Sequence, residues 1–199
     1  MNEMWNTRFK EETFFYGQQV NEVLKEFLLR EKPGKILLPG EGEGRNAVYA
    51  AKLGWQVTAI DFSEEGKFKA EKLAKQNQVE INYIVQDVST YEAPSNFYDC
   101  IACVFLHMPL DSFFEMIKQL TKSLKPNGKL FIVGFHTTQL AYKSGGPKNI
   151  DWLYSQSSFE NSLKGFNIIN NSSFTTKLNE GEGHLGEAAI HIFEGQKID

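Results

Sequence analysis

A glycine-rich segment that also carries two acidic residues offers the clearest chemistry in this sequence. The segment Leu38-Pro39-Gly40-Glu41-Gly42-Glu43-Gly44-Arg45-Asn46 has a glycine at every second position from Gly40 to Gly44. Glycine lacks a Cβ, so the backbone can turn tightly there and a ligand can approach main-chain N–H groups. Glu41 and Glu43 would disfavour a pyrophosphate, which binds uncharged N–H donors at a helix N-terminus. The segment therefore favours a ligand with a positively charged part, and a simple glycine turn is the alternative.

Two aspartates follow later apolar runs at positions that suit a nucleoside. Asp61 lies about 20 residues after Gly40, the distance at which an acidic residue takes the ribose hydroxyls in dinucleotide-binding folds. A vicinal diol supplies two donors, which one carboxylate can accept. Asp87 could accept from an adenine amino group while the N–H of Val88 serves a ring nitrogen. The alternatives are a helix N-cap for Asp61 and a self-capped turn for Asp87.

Aromatic and histidine side chains lie near other predicted strand ends. Phe62 and Phe105 could flank a purine, and core packing is the alternative for each. His107 is the best-placed candidate base or substrate contact, because an ordinary histidine pKa near 6.5 suits proton transfer. The alternative is a loop histidine that is hydrogen-bonded to a neighbouring carbonyl. His136 and His184 could also face the cleft.

The hydrophobic pattern predicts the elements that must position these residues. The predicted strands are 35–38, 56–60, 80–85, 98–105, 129–135, 166–176 and 185–194. The predicted helices are 18–30, 44–53, one capped by Ser63, one with a capping box of Ser112 and Glu115, and one capped by Ser157 and Glu160. Five strands alternating with helices indicate an α/β fold with a doubly wound, Rossmann-like sheet. Two closing strands make it seven-stranded, mostly parallel, with an antiparallel C-terminal hairpin.

Length and composition limit the function classes. At 199 residues, with 41% hydrophobic and 23% charged residues, we expect one domain covering 1–199. Within it, 1–30 would be an N-terminal lid segment and helix, and 137–151 a substrate-side loop. The net charge of −4 argues against a nucleic-acid partner. The chain shows neither a signal peptide nor an apolar run of the ~18 residues that a membrane span needs, so we expect a cytoplasmic protein and no membrane partner.

Cys100 and Cys103 form a CxxC motif inside an apolar run. Side chains three positions apart in a strand point to opposite faces, which disfavours both a shared metal and a disulfide. The second half of a zinc site is also missing from the sequence. We expect two packed core thiols and no metal site.

The order of these motifs resembles the class I S-adenosylmethionine-dependent methyltransferases over nearly the whole chain. The strings Trp5-Asn6-Thr7-Arg8-Phe9, Tyr16-Gly17 and Gly42-Glu43-Gly44-Arg45-Asn46-Ala47 are most similar to the tellurite-resistance methyltransferases and their thiopurine methyltransferase relatives. In that group an aromatic N-terminal segment lies over the cofactor. The resemblance thus implies that Trp5 and Tyr16 are lid residues.

The resemblance also implies S-adenosylmethionine as cofactor, with S-adenosylhomocysteine as product, and a role for each motif. Gly40, Gly42 and Gly44 would cradle the methionine end. Asp61 would hold the ribose, Phe62 would pack on the adenine, Asp87 and Val88 would read its edge, residues near Phe105 would contact the methionine group, and Glu41 and Asn46 complete the cofactor-binding set. This sequence departs from the family at Leu38, where an acidic residue usually supports the methionine ammonium. We expect Glu41 to compensate.

The expected reaction is methyl transfer to a small molecule, with a thiol or an oxyanion of tellurium or selenium as the favoured acceptor. Such soft, ionised nucleophiles need no base, whereas an amine or a hydroxyl usually does. After the fourth strand the chain reads Phe105-Leu106-His107-Met108-Pro109, without the Asn/Asp-Pro-Pro-Tyr/Phe motif of enzymes that methylate nucleobases or glutamine. The alternatives are a non-catalytic binding module of the same fold and, with less support, an NAD(P)-dependent oxidoreductase.

Overall fold

Seven strands form one mixed sheet in the computed structural model, which describes residues 2–198. The strands are β1 (Lys35–Pro39), β2 (Gln56–Asp61), β3 (Asn82–Val85), β4 (Tyr98–Val104), β5 (Leu124–Phe135), β6 (Phe166–Glu180) and β7 (His184–Lys197). Their spatial order is β3-β2-β1-β4-β5-β7-β6. The first five strands run parallel, and β7 is antiparallel to both β5 and β6. The predicted Rossmann-like sheet with its antiparallel hairpin is confirmed.

Six α-helices accompany the sheet within the described residues. They are α1 (Asn2–Phe9), α2 (Glu22–Arg30), α3 (Arg45–Lys52), α4 (Glu64–Gln76), α5 (Leu110–Thr121) and α6 (Gln156–Ser162). Short 3-10 turns cover Val88–Thr90, Thr137–Ala141 and Ile150–Trp152. In the described part of the chain, no helix has the length and apolarity needed to cross a membrane.

The core lies on both faces of the sheet, as the two cysteines show. Cys100 packs with the apolar side of α2, including Leu24 and Phe27, whereas Cys103 packs with Phe113 and Ile117 of α5. Both thiols are buried and unbonded to each other. The prediction of two core thiols on opposite faces is confirmed.

Three predicted helix starts were wrong because other residues cap the helices. Helix α2 begins only at Glu22, since the Asn21 side chain accepts a hydrogen bond from the Leu24 N–H. Helix α5 begins directly after Pro109 and has no side-chain cap, so Ser112 lies inside the helix. Helix α6 has its capping box at Ser155 and Ser158, two residues before the predicted pair.

The strands of the second half are longer than the sequence pattern indicated. Strand β5 starts at Leu124 and not at the predicted residue 129, and residues 126–128 form an irregularity within it, where Asn127 has a φ of 60°. Strands β6 and β7 pair, with one register shift between Ile168 and Asn170, as far as the pair Glu180 and His184. Their hairpin therefore carries Glu180 and His184 to the end of the sheet where the functional loops lie.

Gly44 lets α3 and α4 pack closely beneath the glycine loop. Its φ is 86°, and a Cβ there would overlap the methyl group of Ala70 on α4. A left-handed backbone and a steric overlap both penalise a larger residue. The third glycine of the motif therefore serves helix packing.

Replacing Gly44 by alanine should lower the free energy of unfolding by about 2–4 kcal/mol, from backbone strain and overlap together. Urea denaturation of purified protein measures the change. Gly165→Ala is the matched control, because a Cβ at Gly165 would meet no atom within 4 Å. Equal stabilities of the two variants would contradict this account of Gly44.

Candidate functional site

The glycine loop, residues 40–44, lies at the carboxyl ends of β1 and β2. The N–H groups of Gly40 and Glu41 both donate to the Ile60 carbonyl, at 2.7 and 3.2 Å. Gly40 and Gly42 have φ values of 68° and 61°, a region that glycine enters without strain. These bonds hold the loop against the end of β2, immediately before Asp61.

Asp61 is buried against this loop. Its Oδ2 accepts from the Gly42 N–H and its Oδ1 from the Ser63 N–H, both at 3.0 Å. Burial raises the pKa of Asp61, and these backbone donors oppose the rise. The cap of α4 is Ser63, whose hydroxyl accepts from the Gly66 N–H. Asp61 is therefore not the N-cap of this helix, and its carboxylate lies beside Gly42.

Glu41 points into the protein at the start of α3. Its Oε1 accepts from the N–H groups of Asn46 and Ala47, at 2.8 and 2.7 Å, and the residue is only 8% exposed. Burial raises the pKa of Glu41 to about 7, despite these hydrogen bonds. Asn46 is also committed locally, because its Oδ1 accepts from the Asn21 N–H at 3.0 Å.

Glu43 is held differently from Glu41. The Lys69 ammonium donates to Glu43 Oε1 at 2.7 Å, and both side chains are buried. Lys69 also donates to the Thr13 carbonyl at 2.7 Å, and the Tyr16 N–H lies 3.4 Å from Glu43 Oε2. One of the two loop carboxylates is thus neutralised by a lysine, whereas Glu41 has no such ion pair within the described residues.

The N-terminal segment covers the glycine loop. A Cβ on Gly42 would lie 3.2 Å from the ring of Phe9, the last residue of α1. The Ser63 hydroxyl donates to Asn6 on the same helix at 2.6 Å. The Trp5 ring lies 5.5 Å from that of Phe9 and 6.2 Å from that of Tyr16, between centroids. The predicted lid residues are therefore in this cover, and Phe9 is the ring nearest the loop.

Asp87 follows the end of β3 and caps the 3-10 turn Val88–Thr90. Asp87 is exposed, and its Oδ1 accepts from the N–H and hydroxyl of Ser89, at 2.9 and 2.7 Å. Val88 is buried, and Phe62 at the end of β2 is half-buried. The geometry of Asp87 favours the capped-turn alternative, and its proposed contact with adenine stays a prediction.

His107 has both ring nitrogens occupied by the backbone. Its Nδ1 donates to the Trp152 carbonyl at 2.8 Å, and its Nε2 accepts from the Phe135 N–H at 3.0 Å. Burial lowers the pKa of His107 to about 4. A histidine bonded in this way holds two loops together and has no free lone pair for a substrate proton. The geometry thus favours the structural alternative over the predicted catalytic role.

Phe105 faces the β5 side of the site. Its ring centroid lies 4.7 Å from that of Phe135 and 4.3 Å from that of His184. Phe105 has a φ of 51°, an uncommon conformation for a non-glycine residue that recurs at functional sites. Since β1 separates β4 from β2, Phe105 and Phe62 lie at the ends of strands that are not neighbours in the sheet, and their placement around a purine stays a prediction.

A buried polar cluster joins the loop to the β6–β7 hairpin. Arg45 Nη2 donates to Glu180 Oε2 at 2.7 Å, and His184 Nδ1 lies 3.1 Å from the same oxygen. Arg45 Nη1 also donates to the carbonyls of Tyr16 and Gln19. Burial alone would raise the pKa of Glu180, but the hydrogen bonds from His184 and Arg45 hold it at about 2.

Sequence reasoning missed Phe9, Lys69 and the pairing of Arg45 with Glu180. The signals for Phe9 and Lys69 are weak, because an aromatic residue and a lysine on helices are ordinary. The signal for the pairing is better: Glu180 and His184 flank a glycine-rich turn in a hairpin whose two strands must be adjacent. Only the contact with Arg45, 135 residues earlier, required the structure.

The sequence and the fold of this chain are similar to those of known methyltransferases. Residues 36–128 match the family described as "Methyltransferase domain", a stretch that contains the glycine loop, Asp61 and Asp87. The fold is the Rossmann-like methyltransferase fold. Ubiquinone biosynthesis O-methyltransferase of Rickettsia akari (strain Hartford) is 29% identical over 150 residues, covering 71% of this chain and 58% of the relative. The chain thus spans less than two thirds of that relative's length.

Solved structures share the methyltransferase fold at low sequence identity. One described as "Conversion of a Disulfide Bond into a Thioacetal Group during Echinomycin Biosynthesis" has a TM-score of 0.75 at 15% identity, covering 100% of this chain and 92% of the other. Magnesium protoporphyrin IX methyltransferase (ChlM) from Synechocystis PCC 6803, with bound S-adenosylmethionine, has a TM-score of 0.66 at 20% identity, covering 88% and 77%. At these identities the similarity shows a common fold.

TehB from Haemophilus influenzae is also similar in structure. Its TM-score is 0.71 at 18% identity, covering 89% of this chain and 62% of TehB. An identity this low shows a common fold alone. The resemblance to the tellurite-resistance group therefore stays a prediction.

Glu41→Gln tests the charge imbalance in the loop. Because the pKa of Glu41 is raised to about 7 in the folded protein, its contribution to stability is complete below pH of about 4.5 and lost as pH rises through 7. The variant should lack this loss, which is on the order of 3 kcal/mol. Urea denaturation at pH 5 and pH 8 measures it. Exposed Glu115, on α5, provides the control Glu115→Gln, which should keep the wild-type pH dependence.

Proposed function

We propose that this chain transfers a methyl group from S-adenosylmethionine to a small molecule. The observation that carries the proposal is the pair of carboxylates at the glycine loop. Asp61 is buried beside the Gly42 N–H, and Glu41 is buried without an ion pair among the described residues. A ligand that carries both a diol and a positive charge would satisfy both groups. S-adenosylmethionine has these two features, and the residues present fit it.

The family match and the loop geometry support the following cofactor contacts. Asp61 would accept from the ribose hydroxyls, and Glu41 would balance the positive charge of the methionine end. Leu38 stands where the family usually has an acidic residue, and it is buried in the apolar core. The charge at that end of the cofactor would therefore have to be balanced by Glu41 of the loop. Asp87, Val88 and Phe62 lie at the next strand ends, on the side expected for adenine. Phe9, Trp5 and Tyr16 would exclude water from above.

When bound, the cofactor supplies an electrophilic methyl group on a positively charged sulfur. The protein then has to align the acceptor with that methyl group and exclude water, since the charge is neutralised as the methyl leaves. Phe105 and Phe135 form an apolar wall at the ends of β4 and β5, next to the loop 137–151. We place the small-molecule acceptor against this wall.

The acceptor class divides into two candidates. A thiol or an oxyanion of tellurium or selenium, as in the tellurite-resistance group, would react without a base. A hydroxyl acceptor is favoured by a specific observation, the histidine–glutamate contact between His184 and Glu180 beside Phe105. The name of the Rickettsia akari relative, an O-methyltransferase, points the same way.

An oxidoreductase that uses NAD(P) fits the site less well. Arg45 occupies the third glycine position of the dinucleotide motif, and its guanidinium is committed to Glu180 and to two carbonyls. Glu41 adds negative charge where a pyrophosphate would bind. A non-catalytic module would bind the cofactor without turnover, and product formation distinguishes it.

Asp61→Asn should weaken binding of S-adenosylhomocysteine by about 10- to 100-fold, because a charged acceptor for two hydroxyl donors is lost. Isothermal titration calorimetry measures the affinity, and Asp111→Asn, at an exposed position on α5, should bind like wild type.

Glu41→Gln should bind S-adenosylmethionine more weakly than wild type.

Three results would count against the proposal. Wild-type protein that binds NADPH but not S-adenosylhomocysteine would be an oxidoreductase. Unchanged affinity in Asp61→Asn would remove the ribose contact. Unchanged affinity of Glu41→Gln for S-adenosylmethionine would show that Glu41 does not compensate for Leu38.

A further inference from the structure

The His184–Glu180 pair lies at the tip of the β6–β7 hairpin and is buried. His184 Nδ1 lies 3.1 Å from Glu180 Oε2, and both side chains are at most 10% exposed. Arg45 binds the same carboxylate oxygen at 2.7 Å, which fixes its position. A carboxylate that accepts from Nδ1–H sets the tautomer and the orientation of an imidazole. In this pair, Glu180 therefore fixes the tautomer and the orientation of the His184 ring.

Aromatic rings from three separate chain segments surround His184. Ring centroids lie at 4.6 Å for Tyr16, 4.3 Å for Phe105 and 5.1 Å for Phe135. These residues belong to the N-terminal cover, the end of β4 and the end of β5. A Cβ on Gly145, in the loop 137–151, would lie 3.2 Å from His184 Cδ2. His184 therefore contacts the N-terminal cover, the ends of β4 and β5, and the loop 137–151, the elements against which we place the acceptor.

The second ring nitrogen, Nε2, is left to act as an acceptor. With Nδ1–H donated to Glu180, the lone pair of the neutral ring is on Nε2. Among residues 2–198, no hydrogen bond involves this atom. In the described part of the chain, the fully buried side-chain nitrogens without a partner are Trp55 Nε1 and His191 Nδ1, so His184 Nε2 is not sealed in the core.

Burial keeps the His184 ring neutral, and the charges that face it act in both directions. Burial lowers the pKa of His184, the hydrogen bond to Glu180 opposes this, and the Arg45 charge lowers the pKa further. Two other titratable groups lie near the His184 ring. Tyr16 packs its ring against that of His184, and His107 interacts with it electrostatically. A histidine that is neutral near pH 7 can take a proton.

We infer that His184 is the general base for a hydroxyl acceptor and that Glu180 is its positioning residue. This inference rests on the proposed methyltransferase function. The acceptor oxygen forms a bond to the methyl carbon while the carbon–sulfur bond breaks and its electron pair stays on sulfur. The hydroxyl proton passes to His184 Nε2, and the Glu180 carboxylate stabilises the resulting imidazolium. The surrounding rings of Tyr16, Phe105 and Phe135 favour an aromatic hydroxyl compound.

The other three histidines do not fit this role. His107 has both nitrogens bonded to the backbone. His136 caps the turn that follows β5, where its Nδ1 accepts from the Thr138 N–H. His191 is fully buried, stacks on Phe159 and bonds Asn171 through Nε2. His136 is therefore suited as a control.

The test uses two acceptors of the same shape, phenol and thiophenol. Thiophenol is the stronger acid and reacts as its thiolate, whereas phenol has a pKa of about 10, keeps its proton near neutral pH and needs a base. His184→Asn keeps an N–H donor for Glu180 and removes the base. It should slow methylation of phenol about 10²- to 10⁴-fold and methylation of thiophenol less than threefold. His136→Asn should change neither rate, and Glu180→Gln should slow the phenol reaction through kcat.

A spectroscopic readout does not depend on turnover. In the complex of histidine-labelled protein with S-adenosylhomocysteine, phenol should shift the ¹⁵N NMR resonance of His184 Nε2, because this atom then accepts a hydrogen bond from the hydroxyl. Anisole has the same ring without the O–H donor and should leave the resonance in place, and His184→Asn identifies the signal by its loss. Absence of a shift when phenol binds, or equal slowing of the phenol and thiol reactions, would overturn the inference. Failure to bind S-adenosylhomocysteine in calorimetry would instead overturn the proposed function.

Discussion

The ion pair between Arg45 and Glu180 is the interaction on which the architecture of the site depends. Its side chains are 8% and 10% exposed, so both charges are withdrawn from water and each requires the other. Arg45 opens α3 behind the glycine loop, and its remaining donors hold the carbonyls of Tyr16 and Gln19 in the N-terminal cover. Three segments that are remote in sequence therefore share one buried guanidinium. A buried ion pair of this kind contributes more to the specificity of an arrangement than to its net stability.

The two acidic residues of the glycine loop are held in different ways. Glu43 is satisfied by Lys69 and belongs to the packing of α4 against the N-terminal cover. Glu41 receives backbone N–H groups through Oε1, and burial raises its pKa to about 7 although the Arg45 charge lowers it. Two identical residues two positions apart thus differ in environment, because Glu43 lies within reach of a lysine and Glu41 does not.

The order of strands and helices could be read from the sequence, because apolar runs bounded by glycine and proline are local signals. The glycine loop and Asp61 were also predictable, since both depend on spacing along the chain. The helix starts were not, because Asn21, Pro109 and Ser155 each compete with a plausible neighbouring cap. The position of His107 could not be inferred, because its partners are backbone groups of the 3-10 turn at Trp152 and of the end of β5 at Phe135, which only the fold brings near. The pairing of Arg45 with Glu180 was hidden for the same reason.

The placement of β7 between β5 and β6 has a consequence for how the chain acquires its structure. Strand β6 is synthesised before β7, yet its only neighbour in the sheet is β7. While the chain emerges from a ribosome, β1 to β5 can already associate, but β6 lacks the strand that it pairs with in the final sheet. The hairpin reaches its native position only after β7 is available. Arg45 consequently lacks its carboxylate partner until then, which makes docking of β7 the step that completes the ion pair behind the glycine loop.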